Sequence, residues 1–157
     1  KEPEFEYKDK STFIMATLKC VEYLNYTTDR LSRVPTSMIV AMAGIESGWG
    51  TSRFAQEGNA LFGVRTWDDN TPQMKAKGNP DAEWGVKKYK TKCESVKDMI
   101  AIINRHRAYK EFREEREDQI DDGKWDYRRL MVRMSAWSTN PDYHEIVLQA
   151  IVDNKLP

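Results

Sequence analysis

Every residue from Met38 to Ile45 is apolar or small, so a helix over this stretch has no polar face to give to water and is expected to run inside the domain. Pro35 with Thr36 or Ser37 starts it, and Glu46 ends the apolar run. Elsewhere the pattern is amphipathic. Ser11 is placed to cap a helix that turns Phe13, Ile14, Leu18, Val21 and Leu24 toward the core and fades between Asn25 and Asp29. Thr91 and Glu94 form a capping box ahead of Val96, Met99, Ile100 and Ile103, which predicts a helix from Lys92 to about Arg105. The run Lys110 to Asp121 is nearly all charge at helical pair spacings and predicts a solvated helix, broken at Gly123. A helix over Tyr127 to Met134 follows, and a last one packs through Ile146, Val147, Ala150 and Ile151 before ending at Asn154.

Between the buried helix and Thr91 the period changes. Thr51 or Ser52 caps a short helical turn through Phe54 and Ala55, ended by Gly58. Leu61 to Arg65 then predicts a short strand and Trp84 to Tyr89 its return, with a loop rich in Pro, Gly and Asn between them. This is the only part that reads as sheet. The sum is an α+β plan, predominantly α-helical and lysozyme-like, with a helical lobe and a small β-hairpin lobe. Residues 1–10 are expected to lie along the surface as an arm, and 11–157 to form a single domain.

Composition narrows the function classes. With 25 basic and 25 acidic residues the formal charge is zero, which argues against wholesale binding of nucleic acid. No apolar run is long enough for a membrane span, and the opening Lys1-Glu2-Pro3 suggests a mature or excised piece. Cys20 and Cys93 have no metal-ligand spacing with His106 or His144, so no metal and no cofactor is expected. Both cysteines fall in helical stretches, which favours two buried thiols over one bridge; the sequence leaves both open.

Glu46 is the residue around which chemistry gathers. A carboxylate at the end of a buried helix loses hydration and meets the negative end of the helix dipole; both raise its pKa, as a general acid near neutral pH requires. The same position also suits a buried carboxylate held by an arginine. Gly48 and Gly50 flank Trp49 and end the helix in a turn that leaves a flat side chain beside the acid, with a place in the core as the other reading of Trp49. The sheet-lobe loop carries Trp67, Asp68, Asp69, Asp81 and Glu83, from which Glu83, with Asp81 behind it, is the first choice for a second carboxylate. Asn104, His106 and Tyr109 stand open between ligand-facing and structural roles.

The stretch Glu46-Ser47-Gly48-Trp49-Gly50-Thr51-Ser52-Arg53-Phe54-Ala55, followed by Asn59-Ala60-Leu61-Phe62-Gly63, resembles the signature of the glucosaminidases of glycoside hydrolase family seventy-three. The Bax-like branch is the best match. Later segments extend the likeness: Ile103-Asn104-Arg105-His106, Ala108-Tyr109, and Ser138 through Tyr143 to Leu156, so that it covers roughly Val34 to Leu156. The resemblance implies hydrolysis of N-acetylglucosaminyl β-1,4 bonds in bacterial peptidoglycan, with Glu46 protonating the leaving oxygen. It also implies that Trp49, Asn59, Phe62, Trp67, Trp137 and Tyr143 hold the glycan strand, the aromatic faces stacking on sugar rings.

Two departures stand out. The position aligned to Trp137 is often a tyrosine in the family, and indole lacks the hydroxyl; either Tyr143 substitutes or the enzyme is slower. The second carboxylate has no firm match, which leaves a base-activated water or the substrate's own acetamido group as routes. The rivals are a lytic transglycosylase using the same glutamate and a catalytically weak wall-binding module. A monomer in the bacterial periplasm or envelope, or a phage-encoded enzyme acting on the wall, fits either way.

Overall fold

The computed structural model describes all residues from Lys1 to Pro157, and its organising element is α2 (Thr36–Ser47), in which Ser37 through Gly44 are all buried. Around it pack α1 (Lys10–Thr27) and α7 (Tyr143–Asp153). α4 (Lys92–Arg105) lies against α1, while α5 (Lys110–Gln119) and the short α6 (Tyr127–Met131) close the far side next to α7. A single hydrophobic core runs through all of these helices. No helix is long and apolar enough to cross a membrane.

Helix starts differ from the expected ones in informative ways. Asp9, not Ser11, caps α1: its carboxylate accepts from Thr12 N at 2.8 Å, and Thr12 Oγ1 accepts from Asp9 N at 3.0 Å, a reciprocal box. Ile14 and Leu18 are only half-buried, and the inner face is Phe13, Ala16, Thr17, Cys20, Val21 and Leu24. The preceding segment is irregular, yet Phe5 and Tyr7 pack edge-on against Phe13 and against each other, and the Tyr7 hydroxyl donates to Gly50 O at 2.7 Å. At α4, Thr91 accepts from Glu94 N at 3.1 Å as expected, while the Glu94 carboxylate reaches back one residue further, to Lys90 N.

Three other expectations are corrected. α5 is not a solvated helix: Phe112, Glu115, Arg116 and Gln119 are buried, Glu115 being matched by Arg129 and Arg133 at 3.5 and 3.4 Å and by the Gln119 amide. The helix expected over Tyr127 to Met134 stops at Met131 and continues as a 3-10 turn to Trp137, with Met134 out of helical geometry. In α7, Ile146 is on the exposed side, and Tyr143, Val147 and Ile151 make the buried stripe.

Cys20 and Cys93 are joined in a disulfide, correcting the expectation of two thiols. The helices carrying them, α1 and α4, pack directly together and bring the two Cα atoms to 5.6 Å, within bonding range.

The small lobe is a three-stranded antiparallel sheet in the order β1 (Arg65–Thr66), β3 (Gly85–Lys87), β2 (Gln73–Met74), rather than a hairpin of Leu61–Arg65 with Trp84–Tyr89. Arg65 pairs with Val86, and Met74 pairs with Val86 from the other side. Lys75 ties the lobe together, its ammonium donating to Gln73 Oε1, Ala82 O and Trp84 O at 2.9 to 3.0 Å, one acceptor for each proton. The lobe is anchored to the helices through α3 (Arg53–Gly58), from which Arg53 donates to Lys75 O at 2.7 Å.

Candidate active site

The end of α2 is built by an unusual turn. Gly48, Trp49 and Gly50 all have positive φ, at 60°, 55° and 84°. For Trp49, the one residue of the three with a side chain, this conformation costs about 1–2 kcal/mol, and packing holds it there. Its indole lies flat on Gly44, so closely that a Cβ added at Gly44 would stand 2.4 Å from the ring. Phe13 meets it edge-on at 6.2 Å and the Lys10 ammonium sits 4.5 Å over it. Ser47, buried beneath the turn, donates to Ala43 O at 2.6 Å and accepts from Gly50 N at 2.9 Å.

Gly44 and Glu46 are two positions apart, hence about 200° around the helix. Trp49 therefore covers the face of α2 opposite to Glu46. The structure does not bring these two together, and Trp49 belongs with the core side of α1.

Two other segments reach Glu46, and a run of aromatic rings continues from the first of them. The backbone at Gly63, with φ at 63°, passes close enough that an added Cβ would stand 3.9 Å from Glu46 Oε2. Just before it, Phe62 is 3% exposed and packs edge-on against Trp137 at 6.4 Å. Trp137 in turn leans on Tyr109 at 5.7 Å, and Tyr109 on His106 at 5.9 Å. From the first turn of α7, Tyr143 brings a buried hydroxyl against the Glu46 carboxyl; that hydroxyl closes no hydrogen bond of full geometry.

The electrostatics follow from this burial. Loss of hydration holds the Glu46 carboxyl above the usual carboxylate range, and the Tyr143 hydroxyl opposes this only in part. Burial first, and then the neighbouring Glu46 charge, pushes the Tyr143 phenol well above its ordinary value. Burial alone pushes Tyr109 up to about 12. Both phenols thus keep their protons at neutral pH, so Tyr143 can only donate toward an ionised Glu46. A carboxyl that holds a proton unusually well, beside a phenol that can steady it once the proton has left, is equipped for proton transfer.

The remaining predicted residues are placed elsewhere. Asn59 caps α3 in a left-handed conformation, and its side chain is engaged three times: it donates to Tyr89 O and Lys90 O at 3.1 and 3.0 Å and accepts from Lys92 Nζ at 2.9 Å. That bracket bolts the sheet lobe to α4. Trp67 stands 65% exposed beyond β1. Asp81 and Glu83 are exposed on the β2–β3 loop. No three His, Cys, Asp or Glu side chains are gathered where they could hold a metal ion. Sequence reasoning left Tyr109 undecided and overlooked Gly63; the signal for Gly63 was its place directly after Phe62, where a bare backbone can approach a neighbouring helix end.

Comparison with known proteins gives this arrangement its context. The family described as "Glucosaminidase: Mannosyl-glycoprotein endo-beta-N-acetylglucosaminidase" matches residues 26–156, which includes every segment that meets at Glu46. The chain belongs to the glucosaminidase family. Within it the domain is Bax-like: it is 35% identical to Protein bax of Escherichia coli K12 over 92 residues, 59% of this chain. It spans about a third of that relative's length, 32%. The fold of the glucosaminidase domain is similar to the catalytic domain of the autolysin Auto from Listeria monocytogenes, with a TM-score of 0.67, 16% identity, and coverage of 96% of this chain and 88% of that one. The lysozyme-like α+β class expected from the hydrophobic pattern is thereby met. The description of the family is that of an endo-β-N-acetylglucosaminidase.

Proposed function

We propose that this glucosaminidase domain hydrolyses the N-acetylglucosaminyl β-1,4 bonds of bacterial peptidoglycan, with Glu46 as general acid. The observation that carries the reading is the state of Glu46: a half-buried carboxyl with a raised pKa, with the Gly63 backbone and the Tyr143 hydroxyl beside it. Glu46 gives its proton to the leaving glycosidic oxygen as the bond to the anomeric carbon breaks. The carboxylate that results is steadied by the Tyr143 hydroxyl, a charge-assisted hydrogen bond that strengthens as charge develops. Tyr143 thereby supplies the hydroxyl that Trp137 lacks.

Asp81 and Glu83 lie exposed on the β2–β3 loop rather than on a packed element, which supports a route in which the substrate's acetamido oxygen attacks the anomeric carbon and water later opens the cyclic intermediate. Glu83, or Asp81 behind it, is the base in the alternative route through an activated water. The buried Cys20–Cys93 disulfide supports action in an oxidising compartment, the bacterial envelope or, for a phage-encoded enzyme, the wall itself.

Mass spectrometry of borohydride-reduced fragments from treated peptidoglycan tests the reading. Fragments ending in reduced N-acetylglucosamine are expected; ends in anhydro-N-acetylmuramic acid would make it a transglycosylase, and no new ends a binding module. Glu46→Gln should lower the rate by roughly two to four orders of magnitude. Cleavage by Glu83→Gln and Asp81→Asn equal to the parent's would assign the attack on the anomeric carbon to the acetamido group.

A further inference from the structure

At the other end of α2 lies a cavity of about 370 Å³, well away from Glu46. Its wall includes Arg30, Arg33, Lys124, Trp125, Asn25 and Gln119, and no carboxylate. A second hollow of about 390 Å³ opens beside it and shares Lys124 and Trp125. We propose that this cavity is a second binding site, one that takes the free carboxylates of the peptide stems on peptidoglycan; the choice of stem rests on the function proposed above.

Charge is the first argument. Arg30 is ion-paired with Asp121 at 3.7 Å, but neither Arg33 nor Lys124 has an acidic partner. Arg33 is held rather than neutralised: Nε donates to Thr28 O at 3.1 Å and one terminal nitrogen to Asn25 O at 2.9 Å. Behind it Arg116, 5% exposed and likewise without a carboxylate, donates to Arg33 O at 3.0 Å. A fixed guanidinium with unspent charge, in a concavity that focuses its field, is suited to a carboxylate. The start of α2 at Thr36, which no side chain caps, adds positive potential from the same side.

Shape and composition favour a peptide over a polyanion. The volume falls within the range of about 300–1,000 Å³ for small-ligand pockets. Trp125 offers an apolar face, and the Asn25 and Gln119 amides match peptide groups, while the chain as a whole carries no net charge to draw in a phosphate polymer. Thr36 and Glu46 are ten residues apart on one helix, roughly 15 Å along its axis, so the two sites are separate.

Calorimetric titration with a free stem tripeptide, its fully amidated form and inorganic phosphate tests this on the whole domain. The tripeptide should bind saturably, and amidation or Lys124→Glu should each weaken it by about tenfold or more, the size of one charge-assisted contact. Lys124 is exposed, so that variant should stay folded; Arg33→Gln serves as the second. Glu46→Gln should bind the tripeptide as the parent does, whatever becomes of cleavage, so this site and the glycosidase reading can fail independently. Absence of saturable tripeptide binding, affinity indifferent to amidation or to Lys124→Glu, or phosphate binding as tight as the tripeptide would each overturn the proposal.

Discussion

Glu46 pays for its position in stability as well as serving it. Its carboxyl has a folded pKa above the unfolded one because burial disfavours the charge. The sign follows: the favourable contribution of the protonated form is fully present below the ordinary carboxylate pKa and is lost as pH rises through the folded value. Glu46→Gln keeps the shape without the charge, so it should raise the melting temperature at pH 7, and the gain over the parent should vanish below about pH 4. Thermal melts of both proteins across pH 3–8 check this; a gain that persists at low pH would mean burial of charge is not the cause. Glu46 was legible in the sequence because the apolar run ends on it. Trp49 and Asn59 were not, because a motif records which residues stay together and says nothing about which face of a helix each one leaves from. Asn59 answers to three partners up to 33 positions away, and no local pattern shows them.

Among the elements, α2 is the one where packing overrules propensity. Replacing a mid-helix glycine by alanine usually gains up to about 1 kcal/mol. At Gly44 the new methyl would meet the face of the Trp49 ring, which cannot swing aside, being pinned by Phe13 and its own strained backbone. Gly44→Ala is therefore expected to destabilise the domain by roughly 1–3 kcal/mol, the scale of overpacking, measured by urea unfolding. Buried and amphipathic helices showed themselves through their period. The sheet showed itself only in outline: the stretch Trp84 to Tyr89 brackets β3, but strands of two or three residues are too short for an alternation to fix their number or bounds. α5 misled for a different reason: Glu115 and Arg116 are charged residues on its inner face, and partners on other elements help to satisfy both.

For the molecule as a whole, the hydrophobic pattern was enough to give a helical domain with a small sheet lobe, and the signature enough to give the family. The cross-link escaped because two isolated cysteines carry no spacing information; only the packing of α1 on α4 pairs them. Closing a loop of 73 residues, the bridge restricts the unfolded chain, and the double variant Cys20→Ala, Cys93→Ala should lose about 2–4 kcal/mol in denaturant melts run without reductant.

Those 73 residues contain both Glu46 and the whole sheet lobe, whose outermost turn, Lys77 to Asp81, is exposed. A protease that cuts the chain there, trypsin after Lys77 for instance, divides it into halves of nearly equal length without releasing either one. Under oxidising conditions the nicked protein should run as one band at its original mass and separate into two only when reduced. In a setting crowded with proteases, the lobe over Glu46 is thus tethered to the helices even after its own backbone has been broken.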